Sequence, residues 1–236
     1  MKTRHGNLLH AFRAALAFLD THAGTLDAAA TCGSRKRLDT VLEHMAADAL
    51  TQNRTTLAAR FATQRIHVLR KELVYGHMVL VSRIAALHLP RKSMALRACR
   101  LPDGDVGIKA VHAAAMAMAM EAQAHVDSFT AAGLPRGFIV QLRVAANAML
   151  AQFEERAQHQ RAGKAATKSI KASLPFAQLM MRVLDALVRR ELKDNPQLLA
   201  EWDAVKRVPR KAVEEAPKVP GRPVPALLKN DRRAAA

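Results

Sequence analysis

The spacing of apolar residues along the chain predicts helices, because these residues recur at intervals of three and four rather than in strict alternation. Leu8, Phe12 and Leu19 fall on one side of a first helix. Residues 34–88 then contain no proline and a single glycine, Gly76. This stretch predicts one very long helix of ~80 Å at about 1.5 Å per residue, unless the polar sequence TQNRTT breaks it.

Two apolar stripes run along this long helix. The first follows a seven-residue repeat with one extra leucine, and it consists of Ile66, Leu69, Leu73, Leu80 and Leu87. The second lies about a third of a turn away, and it consists of Leu57, Phe61, Val68, Tyr75 and Val79. Each stripe is typical of a packed helix face, so we expect neighbours on two sides of the long helix.

A further helix is predicted after a loop that contains Pro90, Pro102 and Gly104. Its apolar residues fall within an arc of about 80°, and they are Ile108, Val111, Ala115, Met118, Ala122, Val126 and Phe129. Met118 should therefore be buried, whereas Met116 and Met120 should not. Gly133 is a stop signal before a return helix, which should bury Phe138, Leu142, Ala145, Met149 and Phe153.

The sequence RAQHQRAGKAATKSIKAS, residues 156–173, has five positive side chains, no negative ones and little apolar periodicity. We interpret it as a basic loop or a frayed helix end. Pro175 should begin or kink the helix that follows. A last helix is predicted from Asn195 as N-cap and Pro196 as first helical residue, with Trp202 turned inward.

Domain organisation follows from a change of composition at Val208. Residues 209–236 contain five prolines, many charges and few apolar residues, so we expect a disordered basic tail rich in Pro, Ala and Lys. Residues 1–208 are predicted to form one all-α domain. This domain should be a helical bundle of about six helices around one very long helix.

Composition supports this fold class. Half of the residues are apolar (50%) and only 4% are aromatic, while Ala, Leu and Arg dominate. Cys32 and Cys99 are far apart and lie in no zinc-binding spacing, which is consistent with a reducing cytoplasm.

The basic N-terminus is interrupted by His10 and Arg13, so we interpret it as helix rather than signal peptide. Eighteen consecutive apolar residues occur nowhere, and we expect no membrane span.

Two stretches resemble a group of uncharacterised bacterial proteins. AAGLPRGFIVQLRVAANAML carries the group's GLP…F…QL…A helix start, and RVLDALVRRELKDNPQLLAEWDAVKRV carries its RVLDAL…LLAEW ending. The resemblance covers the chain from about Leu8 to Val208. It implies a bacterial origin and a helical fold. It carries over no catalytic residue, because the group has no assigned activity.

Candidate metal ligands exist but form no complete motif. Glu121–His125 and Glu155–His159 have the four-residue spacing of a helical metal pair, and His112, Met116 and Met120 share a face. However, no Glu-x-x-His occurs, nor H-E-x-x-H, a phosphate-binding glycine loop or a nucleophile elbow. We therefore expect no metal, no cofactor and no catalytic residues, and the protein is not predicted to be an enzyme.

The formal net charge of +17 is the strongest global signal. A surplus of this size attracts polyanions such as nucleic acid. The candidate contact residues are clustered cations, namely Arg35, Lys36, Arg37, Arg161, Lys164, Lys168, Lys171, Arg210 and Lys211. A basic surface can also arise from an arginine-rich composition, and no helix-turn-helix punctuation or RNA-binding aromatic pair indicates base recognition.

Three functions remain open from the sequence. The first is a structural or interaction scaffold whose long helix displays an apolar stripe to another protein or to a second copy. The second is an accessory protein that binds nucleic acid through basic surface and tail without sequence preference. The third is a helical-bundle metal binder, for which the residue spacing gives the least support.

Overall fold

The computed structural model describes residues 3–104 and 106–207, and side chains from Gly6 onward. No strand occurs among these residues, which confirms the all-α prediction. The helices are α1 (Thr3–Thr21), α2 (Asp27–Thr31), α3 (Gly33–Lys71), a π segment (Glu72–Met78), α4 (Val79–His88), α5 (Met94–Ala98), α6 (Ile108–Ala124), α7 (Val126–Ala131), α8 (Phe138–Glu191) and α9 (Pro196–Val205). The tail predicted for 209–236 lies outside the described residues.

The predicted very long helix is present. α3, the π segment and α4 follow one another without interruption from Gly33 to His88, and the sequence TQNRTT does not break the helix. Leu89 takes an extended backbone conformation and Pro90 follows, so the helix ends where proline removes the next donor.

α8 is a second very long helix of 54 residues, and here the prediction of a basic loop or frayed end at 156–173 was wrong. Pro175 lies inside this helix and not at its start. The segment is helical because one side of it packs against α3, and Ala166 and Ile170 are buried on that side. Alanine-rich sequence adds a favourable intrinsic propensity.

The two long helices run antiparallel and side by side. Gln52 of α3 donates from Nε2 to Oγ1 of Thr167 in α8 at 2.8 Å, and Gly163 of α8 lies against Thr55 of α3. Residue numbers therefore fall on α8 as they rise on α3. The pair is the frame on which the shorter helices are placed.

Two hydrophobic clusters lie at opposite ends of this frame. The first cluster joins α1, α2 and α9 to the start of α3 and the end of α8, with Trp202 fully buried. The second cluster joins α4, α6 and α7 to the end of α3, the π segment and the start of α8. Between the clusters lies a segment that we call the waist, residues 50–68 of α3 and 150–169 of α8, where few side chains are buried.

The π segment explains where the predicted heptad stripe fails. Ile66 and Leu73 are buried as predicted, but Leu80 and Leu87 are 41% and 81% exposed. A π turn accommodates one residue more than an α turn, which rotates all later side chains by about 100° relative to the uninterrupted pattern. Val81 and Ala85 therefore occupy the inward positions instead.

The helix phase predicted for α6 is confirmed. Met118 is fully buried in the second cluster, whereas Met116 is half-buried and Met120 is 62% exposed. Gly133 has φ +97°, a left-handed conformation that ends α7 and favours glycine. The chain then turns into α8, which buries Phe138, Leu142 and Met149.

Candidate interaction surfaces of the paired helices

The four predicted cations of residues 156–173 share one face of α8. Arg161, Lys164, Lys168 and Lys171 are separated by three, four and three residues, which places them within an arc of about 80°. All four side chains are exposed. The helix holds them in a line about 15 Å long, a geometry that a loop would not fix.

The other predicted cations are not brought to this line. Arg35, Lys36 and Arg37 lie in the first two turns of α3, where Arg35 forms an ion pair with Asp20. Because Gln52 is level with Thr167, the first turn of α3 is about 18 Å along the axis from the level of Lys171. Arg210 and Lys211 lie outside the described residues.

A polar groove separates α3 and α8 at the waist, with a volume of about 520 Å³. Its lining includes threonine hydroxyls, glutamine amides and two cations, from Gln52, Thr55, Thr56, Ala59, Arg60, Thr63, His159, Gln160, Gly163, Lys164 and Thr167. Lys164 contributes both to this groove and to the cation line of α8. Lys164 therefore lies on the α8 rim of the groove and Arg60 on the α3 side, while Arg161, Lys168 and Lys171 continue the line on α8 outside the lining.

Most polar side chains that line the groove form hydrogen bonds within or between the two helices. Thr56, Thr63 and Thr167 each donate to a backbone carbonyl one turn earlier, at 2.7 to 2.8 Å. Gln52 donates to Thr167, while its buried Oε1 receives no hydrogen bond from the described part of the chain. A Cβ on Gly163 would come within 2.9 Å of Thr55 Oγ1, so glycine permits the close approach of the two helices.

The surroundings of the groove lack carboxylates to an unusual extent. Residues 49–71 and 156–184 contain eleven Lys and Arg and no Asp or Glu. Within the described ranges, Arg60, Lys164 and Lys168 form no ion pair. The nearest acidic group along α8 is Glu155, which pairs with His159 at 3.5 Å at one end of the groove. The waist is thus a net positive surface, and its carboxylates, Glu154 and Glu155, lie together toward one end of its α8 segment.

An apolar surface lies on roughly the opposite side of α3, turned away from α8. We call it the seam, and it consists of Leu50, Leu57, Phe61, Val68 and Tyr75. Their exposed fractions range from 47% for Val68 to 69% for Tyr75. Four of the five belong to the second stripe of the sequence, which we expected to meet a neighbour. The described residues supply no helix to cover it.

Two of the candidate metal-ligating histidines have polar partners. His112 lies 3.0 Å from Oδ1 of Asn147 and links α6 to α8, and His159 is paired with Glu155. Among residues 3–104 and 106–207, no three His, Cys, Asp or Glu side chains come together as a metal site would require. Burial raises the pKa of the Cys99 thiol to about 11, and Glu121 adds to the increase, so this thiol is protonated at neutral pH.

A polar cluster that sequence reasoning missed anchors α9 to α8. Asp185 accepts hydrogen bonds from Trp202 Nε1 at 2.8 Å and from Lys206 Nζ at 2.7 Å. Burial tends to raise the pKa of Asp185, but the bonds from Lys206, Trp202 and Arg189 together hold that pKa below its ordinary value. The spacing Asp185–Arg189 was the available sequence signal for part of this cluster.

No family model, curated protein or solved structure matches the chain. In the part of the chain that the structure describes, no helix has the length and apolar character needed to cross a bilayer. The function therefore has to be inferred from the two surfaces of the paired helices.

Proposed function

We propose that this protein is a non-enzymatic scaffold that binds a helix of another protein along the seam. The observation that carries the proposal is the exposure of five large apolar side chains along one face of α3. Single exposed apolar residues are ordinary on protein surfaces, whereas contiguous apolar patches mark interaction sites. From Leu50 to Tyr75 the seam extends about 38 Å.

The spacing of the seam fits a helical partner. With Arg54, Gln64 and Lys71 included, the residues on this face follow one another at alternating intervals of three and four from Leu50 to Tyr75. This is the heptad pattern that accepts side chains of a second helix in the holes between its own. A strand or a loop would not match that repeat over seven helical turns.

Charge favours a partner other than a second copy. The seam face includes Arg54 and Lys71 and is flanked by Arg65, and the one carboxylate in the sequence from Leu50 to Tyr75 is Glu72, near one end. Two copies packed in parallel and in register through this face would bring cations against cations, which costs free energy. An amphipathic helix with Leu or Val in its apolar positions and Glu beside them complements both the seam and its flanks.

Designed peptides of known sequence provide the test. A 28-residue amphipathic peptide with Glu at the flanking positions should bind and quench or shift a fluorophore on the protein, and its Lys-flanked counterpart should not. Phe61→Glu should abolish binding without loss of helical circular dichroism, because Phe61 is largely exposed. Val140→Glu, on an exposed position of α8, is the matched control and should bind normally. Binding of neither peptide would refute the proposal, and seam-dependent self-association in sedimentation equilibrium would replace the partner by a second copy.

The proposed location is the cytoplasm. Cys32 and Cys99 are both free thiols, and they belong to different elements of the fold. Free cysteines persist in reducing compartments. A cytoplasmic scaffold is consistent with them.

A further inference from the structure

We infer that the groove between α3 and α8 binds the sugar–phosphate backbone of a nucleic-acid duplex without reading its sequence. This site is independent of the seam, since the groove and the seam lie on roughly opposite sides of α3. The binding residues are Lys164 and Arg60, which line the groove, together with Arg161, Lys168 and Lys171, which continue the exposed cation line of α8 beside it.

The cation line can face several phosphates of a duplex at once. Four cations occupy about 15 Å of α8, and a duplex presents one charge per about 1.7 Å of its axis, or about nine phosphates over the same length. Because none of the four has an ion-pair partner in the described ranges, no internal contact has to be broken on binding. The absence of carboxylates from residues 156–184 removes the repulsion that usually opposes such binding.

The polar groups of the groove suit a backbone and not bases. Phosphate and sugar oxygens are contacted by Lys and Arg and by the amides and hydroxyls of Gln and Thr, which are the side chains of this groove. Its lining contains no Phe, Tyr or Trp, and its one aromatic ring is the imidazole of His159. Single-strand binding proteins depend on base stacking on aromatic rings, so the groove favours a duplex over an unpaired strand.

A nucleic acid also fits better than an anionic membrane. Membrane-surface helices combine basic residues with bulky apolar ones that insert between lipids. From Arg161 to Lys171, the exposed residues between the cations of α8 are Ala162, Ala165 and Ser169, none of them bulky and apolar. The bulky exposed residues of the waist belong to the seam on the other side of the pair.

Salt-dependent binding of a labelled 30-base-pair duplex tests the site in the full chain. Each lost phosphate contact reduces the slope of log K against log salt by about 0.9. Lys164→Gln, Lys168→Gln and Lys171→Gln together should therefore flatten the slope by about 2.7. The change in affinity between 50 and 200 mM salt should then shrink by about 40-fold.

The control removes the same charge elsewhere. Arg13, Arg83 and Lys193 are exposed and lie on α1, on α4 and after α8. Replacing all three by Gln should leave the slope nearly unchanged. Equal flattening by the two triple variants would show that net charge and not the groove binds DNA, and would overturn the inference. So would absent binding at 50 mM salt, preference for a single strand, or complete competition by vesicles of anionic lipid. Phe61→Glu should bind DNA normally, which separates this test from that of the seam.

Discussion

Replacing Met118 by alanine should destabilise the protein far more than the same change at Met120, one helical half-turn away. Met118 is fully buried in the second cluster, and Met120 is 62% exposed. Truncating a buried methionine removes its transfer free energy and leaves a cavity, which together cost about 2–5 kcal/mol. With a loss of about 3 kcal/mol, and about 2–4 °C per kcal/mol for a chain of this length, the melting temperature should fall by about 6–12 °C.

Thermal and urea unfolding followed by circular dichroism at 222 nm will measure both variants. Met120→Ala should lie within about 0.5 kcal/mol of the parent protein, as surface substitutions usually do. Met116→Ala should fall between the two, because Met116 is half-buried. Equal losses at Met118 and Met120 would refute the orientation of α6 and with it the composition of the second cluster.

Two further predictions concern contacts of α8. Gly163→Ala should change the free energy of unfolding little, because the clash with Thr55 Oγ1 offsets the better helix propensity of alanine. In a Thr55→Ala background the same change should raise the free energy of unfolding, measured in urea, by about 1 kcal/mol. Equal effects in both backgrounds would argue against the close approach. Asp185→Asn should lower stability at neutral pH, because it removes the acceptor charge for Lys206. The folded-state pKa of Asp185 is depressed, so its contribution is present above the ordinary value of 3.8 and is lost as pH falls through the lower folded-state value. The difference in melting temperature between parent and Asp185→Asn should thus be constant from about pH 5 to 8 and shrink below about pH 4; a difference that is undiminished at pH 2 would contradict this account.

The extent of the first long helix could be predicted because it depends on local signals, the absence of proline between residues 34 and 88 and the Pro90 that follows its end. Its phase beyond Leu73 could not, since a single π turn redirects every later side chain and nothing in the spacing of Leu80 and Leu87 announces it. α6 contains no such insertion, and the predicted burial of Met118 was correct.

The groove illustrates the limit for the functional surface. Its cations on α8 were identified from the sequence. The segment that carries them was interpreted as a loop or a frayed helix end, because few apolar residues recur along it at helical spacing. Pairing between residues more than a hundred positions apart, such as Gln52 and Thr167, makes that segment a helix face. Arg60 was not selected, since it becomes a rim residue only once α8 lies beside it.

The waist separates two parts of the molecule that can unfold independently. Its buried side chains are Ala62, Ile66 and Ala166, and the two hydrophobic clusters share no residue and are connected by α3 and α8. Loss of one cluster therefore removes few contacts from the other, and each can act as a separate cooperative unit. In native-state hydrogen exchange, amides near Thr55 and Gly163 would mark the boundary between two units of different protection, in the middle of helices that look continuous.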